Sequence, residues 1–358
     1  MSTTTLSWDL GTGYDFFVSL YILHEPDEFG LRPSWAAGVR SRLPAEDRDI
    51  LEQAQIVVHF PLSWIYELQD SKDSATVIWT LRQLAPDARL PALAKSSGMP
   101  AEVHDLLEGV AQRGSWGPED QDSLRELYRE YKAPTLAKKA ESILDIWSNL
   151  SKFGERYLAA LQVYREAFFA EEEERIRPAL EAALQEAQQQ AGELTFDVLI
   201  ERVSRGVRFE DGLDVSELVM VPSYWITPLV VKQHLGESDS LGLLLFGARP
   251  EDDSLVPGAQ VPDSMLRKLK TLADPTRLRI LRYLSQETMS PAQLARRLRL
   301  RAPTVTHHLS ALRLAGLVYL TLGEKKRKLY TTRSEAISGT FSTLEEFLSG
   351  ESGENLEA

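Results

Sequence analysis

Before residue 248 the pattern of apolar and polar positions is mostly helical. Residues 14–24 (YDFFVSLYILH) and 61–84 are apolar enough to form core helices. Segments 100–113, 118–132 and 134–149 each open on a proline, whose fixed φ and missing N–H suit a first helical turn. Residues 153–191 predict one long helix or two, with Pro178 expected to kink or break it. Beyond Gly206 the pattern changes, and 218–222 and 241–246 predict short strands with 225–231 between them. No internal repeat is visible. Residues 1–250 therefore read as a large helical domain with a small β element.

Residues 248–263 interrupt this pattern. Pro250, Pro257, Gly258 and Pro262, with Glu251, Asp252 and Asp253 among them, continue neither a helix nor a central strand. The linker is placed at 251–263, and a second domain at 264–349. In that domain Met265, Leu266, Leu269, Leu272 and Ala273 recur at helical spacing. Asp274 is a good N-cap, and Pro275 suits the first turn of a second helix, on which Leu278, Leu281 and Leu284 are expected to form the buried stripe. Ser290 and Gln293 make a capping box for a third helix that turns Leu294, Ala295 and Leu298 inward. A short turn, 299–302, leads into a fourth helix over 303–315, ended by Gly316. At about 100° per residue, Val305, His308, Leu309 and Leu312 fall on one side of it. Pro303, Thr304, His307 and Ser310 fall on the other, with Thr306 on the flank. Residues 317–322 and 327–332 are β-like and joined as a hairpin. A last helix carries Ile337, Phe341, Leu344 and Leu348 on one stripe.

Composition and charge sharpen this division. A chain of 358 residues is long enough for about two domains, and its hydrophobic and charged fractions, 43% and 26%, are those of a folded protein. The net charge of −13 is unevenly spread. Residues 261–334 carry +12, residues 1–260 carry −19 and the tail 335–358 carries −6. That asymmetry suggests a polyanion-binding module on an acidic body, or else a solvated basic face.

Several chemistries are excluded or weakened. Cysteine is absent, which removes disulfides, thiolate metal sites and a cysteine nucleophile, and fits a reducing cytoplasm. The six histidines show no local zinc spacing, and His307 and His308 point about 100° apart, so no metal or cofactor is expected. Gly11-Thr12-Gly13 lacks a strong preceding strand, a third glycine and a following Lys-Ser/Thr, so it is not read as a phosphate loop. The acidic run 171–174 is read as a solvated helix face. No GxSxG, HExxH or EF-hand pattern occurs, and no enzyme is expected. No signal peptide or membrane helix is expected, which leaves a cytoplasmic protein.

Two short helices joined by a tight turn, the second amphipathic and preceded by arginines, give a helix-turn-helix. The small polar face of 303–315 suits a major groove. Base contacts are expected from Thr304, Thr306, His307 and Ser310, with Pro303 beside them. The hairpin tip, with Lys325, Lys326, Arg327 and Lys328, is a wing suited to phosphate or the minor groove. Ser290, Gln293, Arg299 and Arg301 complete the expected DNA contacts.

The runs LADPTRLRILRYL (272–284), SPAQLARRLRL (290–300) and APTVTHHLSALRLAGLV (302–318) closely resemble the ArsR-type winged-helix transcriptional regulators. The resemblance covers about a quarter of the chain. It implies a homodimer joined through the first and last helices of the module, with Leu266, Leu269, Phe341, Leu344 and Leu348 in or near the interface. It also implies DNA contact through 303–315 and the wing, and leans towards repression. The chain lacks the cysteine pairs and the late histidine of the family's metal sensors. It also carries Arg299 where the family often has a turn glycine, and Arg301 where it often has a capping serine.

The leading expectation is a dimeric, sequence-specific DNA-binding regulator. A second places a small-molecule receptor or enzyme in residues 1–250, with DNA binding as its output. That region holds all seven tryptophans, which line either a pocket or a plain core. A third treats the winged helix as a protein-interaction module.

Overall fold

The computed structural model describes residues 4–31, 33–69, 71–210, 213, 215–235, 240–250, 253, 261–323 and 327–349. The protein is mainly α-helical, with two small sheets among the described residues and a C-terminal helical module. Strand β1 (Thr5–Trp8) leads into α1 (Thr12–His24), followed by α2 (Pro33–Arg40), α3 (Ala45–Ala54), α4 (Leu62–Tyr66), α5 (Ser74–Gln83) and α6 (Pro86–Ser96). Then come α7 (Ala101–Arg113), α8 (Pro118–Glu130), α9 (Pro134–Lys138), α10 (Ala140–Trp147), α11 (Leu150–Tyr164), α12 (Ala170–Glu193) and α13 (Phe196–Val203). Strands β2 (Val207–Phe209), β3 (Glu217–Ser223), β4 (Val231–His234) and β5 (Leu241–Gly247) follow. The chain closes with α14 (Asp263–Leu272), α15 (Pro275–Leu284), α16 (Pro291–Leu298), α17 (Ala302–Leu314), β6 (Val318–Gly323), β7 (Arg327–Thr332) and α18 (Ser334–Ser349).

The chain forms two units: 1–181 with 216–226 and 231–245, and 182–215 with 227–230 and 246–358. This division differs from the expected one at 251–263. Residues 207–209 form a strand that pairs with β6, which draws 182–215 into the C-terminal unit. Most of the expected linker, at 251, 252 and 254–260, lies outside the described residues.

In the first unit α1 is apolar on every side and is buried accordingly: Tyr14, Phe16, Phe17, Leu20 and Ile22 have no exposed surface. Its sheet has the order β1-β3-β5-β4. β1 runs parallel to β3, from Thr5 opposite Glu217 to Trp8 opposite Met220, and β4 runs antiparallel to β5. β3 and β5 are almost continuously apolar because they are buried nearly throughout. Asp15, wholly buried on α1, accepts from Ser223 Oγ (2.7 Å) and from the amides of Tyr224 (3.1 Å) and Trp225 (2.9 Å), which satisfies its charge. Trp225 stacks on Trp35 at 4.9 Å. Trp147 and Trp225 are buried core, whereas Trp79 is 56% exposed.

Several local expectations change. The 61–84 segment divides into α4 and α5, the latter capped by Asp73, which accepts from the Thr76 amide at 2.7 Å. Pro178 sits inside α12 without ending it. The irregularity falls instead at a π turn, Arg165–Phe169, which turns Phe168 and Phe169 into the core beside Tyr164. A strand does precede Gly11-Thr12-Gly13, but the helix start behind it is filled by the chain itself. The Gly13 amide donates to the Lys72 carbonyl at 2.7 Å, and a Cβ on Gly11 would collide with Lys72.

The acidic run is not a solvated face throughout. Glu173 is 4% exposed and accepts from Thr12 Oγ1, the Ser74 amide (2.8 Å) and Ser74 Oγ (2.5 Å). One carboxylate thus ties down the first residues of both α1 and α5, where helix ends leave donors unmet and favour negative charge. Its neighbour Glu172 pairs with Arg175 at 2.8 Å.

Candidate nucleic-acid interface

An apolar cluster holds the helix-turn-helix part of the second unit together. Ile280, Leu284, Leu294, Val305, Leu309, Leu312, Leu317 and Val318 are all at most 1% exposed. The stripe of α15 differs from the expected one: Leu281 and Leu284 are buried, but Ile280 takes the third inward place and Leu278 is 49% exposed. A three-residue step from 278 to 281 fits the helix period, yet the buried arc is centred between 280 and 284.

Local chemistry sets the helix ends. Asp274 accepts from the Arg277 amide at 2.8 Å, and this bond holds its carboxyl below the usual range. Ser290 and Gln293 form the reciprocal capping box, with the Ser290 amide donating to Gln293 Oε1 at 2.7 Å. Both side chains are therefore occupied in holding the start of α16. Arg299 ends α16 in the left-handed conformation, φ 57°, which costs a non-glycine residue roughly 1 kcal/mol. Arg301 is the N-cap of α17 and makes no side-chain capping bond.

On α17 Val305, Leu309 and Leu312 point into the core. Arg301, Pro303, Thr304, Thr306, His307 and Ser310 are exposed, and so is Arg299 in the turn before it. The structure thus brings the small polar face and the two arginines onto one accessible end of α17. His308 is half-buried, with Nδ1 4.0 Å from Asp274 Oδ1. Burial lowers its pKa, against the pull of Asp274.

β6 and β7 pair antiparallel from Val318 opposite Thr332 to Gly323 opposite Arg327. Lys325 and Lys326 lie outside the described residues. Arg327 and Lys328 are exposed at the near end of β7. β2 adds a third strand parallel to β6, Val207 opposite Leu320 and Phe209 opposite Leu322, so the edge of the hairpin is covered. The next residue, Glu210, takes the Arg327 guanidinium at 2.6 Å. Further in, Arg208 lies over the Tyr319 ring at 3.8 Å and pairs with Glu201 at 2.5 Å. Gly206, at φ 102°, lets the chain pass the Tyr319 ring where a Cβ would crowd it at 3.0 Å.

Arg313, near the end of α17, is 6% exposed and donates to the carbonyls of Ser204 (2.7 Å) and Arg205 (3.1 Å), beyond the C-terminus of α13. Burial and the nearby Arg333 push its pKa down to about 10. α17 is thus held by the core and by the turn that follows α13.

Residues 272–320 match the family model of a helix-turn-helix domain. The match spans α15, α16, α17 and the first residues of β6. A helix-turn-helix supports DNA binding in general. No curated protein matches the chain. The expected interface residues Leu266 and Leu269 on α14 and Leu344 on α18 are partly buried, while Phe341 is 50% and Leu348 73% exposed. Among the described residues, His104, Asp105 and Glu108 on α7 have donor atoms within 4.8 Å of one another; both carboxylates are exposed to water. No helix among them is long and apolar enough to cross a membrane.

The sequence reading missed the helix-turn-helix module's upstream partner. Val207-Arg208-Phe209-Glu210 alternates apolar with charged residues, the period of a half-buried strand, and that was the available signal.

Proposed function

We propose that this chain is a sequence-specific DNA-binding transcriptional regulator of the ArsR-like winged-helix kind, acting in the cytoplasm as a homodimer and as a repressor, with no catalytic step assigned to it. One observation carries the reading: the exposed, small and polar face of α17, with Thr304, Thr306, His307 and Ser310, is framed by Arg299 and Arg301 and backed by the buried Val305, Leu309 and Leu312. Hydroxyls and an imidazole at this position meet base edges, and the arginines meet phosphates. Dimerisation through α14 and α18 is supported by the apolar surface left on α18, Phe341 and Leu348, which a partner's copy would cover. Two recognition helices related by a two-fold then read half-sites about one DNA turn apart.

The test is fluorescence anisotropy with a duplex from upstream of the protein's own gene and a shuffled control, at two salt concentrations. The reading expects tight, salt-sensitive binding to the native duplex and a much weaker response to the control. His307→Ala should weaken the native duplex about 5- to 100-fold and leave the shuffled one nearly unchanged. Equal losses on both would remove the base-reading role of His307. Absence of binding to any duplex at low salt would sink the regulator.

A further inference from the structure

Helix α7 of the first unit carries three side chains with metal-binding atoms, His104, Asp105 and Glu108. Glu108 stands four residues beyond His104 and three beyond Asp105, so the helix period makes it the neighbour of both. One donor atom from each lies within 4.8 Å of the other two, and His104 Nδ1 is 3.9 Å from Asp105 Oδ1. An ion with bonds of about 2.0–2.2 Å holds its ligand atoms about 3.4 Å apart in a tetrahedron and about 4.2 Å apart across an octahedron. Both carboxylates are exposed and free to change rotamer, so small rotations bring the three atoms onto one ion.

The surroundings leave this trio to a cation. The nearby Glu102 takes the Tyr131 hydroxyl at 2.5 Å, and Arg113 pairs with Asp120 at 2.6 Å. Asp105 and Glu108 pair with no lysine or arginine among the described residues. Two carboxylates a single turn apart repel each other, and a bound cation would reverse that. His104 and Glu108 also line a cavity of about 650 Å³, whose wall includes Trp147 and Asn149. The His104 side chain is only 25% exposed, so it is partly ordered before an ion arrives, which lowers the entropic cost of binding.

We propose that His104, Asp105 and Glu108 bind a divalent transition-metal ion of the zinc class. An imidazole favours such ions over magnesium and calcium, which take oxygen ligands. Three protein donors leave at least one position for water or a ligand, and the cavity provides room for it. The histidine spacings alone do not reveal this site, because two of its three ligands are carboxylates. The site lies in the first unit, and its occupancy does not rest on the proposed function.

The experiment is titration calorimetry and thermal unfolding of the full-length protein, free of any affinity tag, with zinc chloride and with magnesium chloride. Zinc should fill a site at one ion per chain and raise the melting temperature by roughly 2–4 °C. His104→Gln should abolish that site, and Glu108→Gln and Asp105→Asn should each weaken it at least about tenfold. His234→Gln, which removes an exposed histidine elsewhere in the same unit, should retain it. Asp105→Asn alters a side chain that is 80% exposed, so it tests the site even if His104→Gln does not fold. No zinc bound, zinc bound equally by the wild type and the α7 variants, or magnesium bound as tightly as zinc would each overturn the proposal.

Discussion

Glu210 and Arg327 face each other where β2 ends beside the wing, with Arg327 Nη2 2.8 and 2.6 Å from the two carboxylate oxygens of Glu210. The pair is exposed, and such pairs contribute about 0–1 kcal/mol to stability. Its consequence lies elsewhere: a wing cation proposed to meet phosphate is held by a carboxylate of the same unit. Binding must displace that carboxylate or place it near the DNA backbone. Glu210→Gln should therefore tighten binding to native and shuffled duplexes alike, several-fold at low salt, with the slope of log K against log salt steeper by about one charge. Arg327→Gln should do the reverse. An unchanged slope in both variants would show that the wing carries no phosphate contact at this position.

The altered stripe of α15 makes a second test. Leu281 is 5% exposed and Leu278 49%. Leu281→Ala should cost about 2–5 kcal/mol through lost transfer energy and a cavity, whereas Leu278→Ala should stay within about 0.5 kcal/mol. Calorimetric unfolding of the two variants reads this difference directly. Comparable losses would return Leu278 to the core.

How legible these features were follows from their range along the chain. Asp274, the Ser290–Gln293 box and Gly316 act on residues three or four positions away, so spacing alone placed the ends of α15, α16 and α17. The inward and outward faces of α17 were equally legible, because a single helix repeats its geometry every turn. The pairing of β2 with β6 was not, because it joins segments far apart in the chain and only a short alternation at 207–210 hints at it. Glu173 was misread for the same reason. Four successive glutamates look alike in sequence, but a helix turns each one by about 100°, and only the third meets Thr12 and Ser74.

Glu173 also yields a stability prediction for the first unit. Its carboxylate takes the hydroxyl of Thr12 and both donors of Ser74 in a buried setting. Glu173→Ala leaves these groups without their charged acceptor and should destabilise the first unit by about 3 kcal/mol. Glu172→Ala, which breaks a partly exposed pair with Arg175, should cost under about 1 kcal/mol. Urea unfolding followed by tryptophan fluorescence reports on this unit selectively, since all seven tryptophans lie between residues 8 and 225. Equal effects of the two substitutions would mean that Glu173 is solvated after all.

His308 predicts an acid dependence for the helix-turn-helix unit. Its Nδ1 is buried with no hydrogen-bond partner among the described residues, and burial holds its pKa below 6.5 despite Asp274 at 4.0 Å, with Arg277 and His307 adding to the depression. In the unfolded chain the imidazole takes a proton near pH 6.5. Between that value and the lower folded one, the unfolded state binds the extra proton, so stability falls as pH falls. The contribution is complete above pH 6.5 and is lost as pH drops through the folded value. His24 and His59 are depressed in the same direction by burial, so these two imidazoles carry the same sign. Comparing wild type with His308→Gln isolates the one residue, because the other two contribute equally to both proteins. The wild type should lose more melting temperature than His308→Gln between pH 7.5 and 5.5, whatever the variant's stability at neutral pH. Parallel curves for the two proteins would show that His308 is free to take its proton in the folded state.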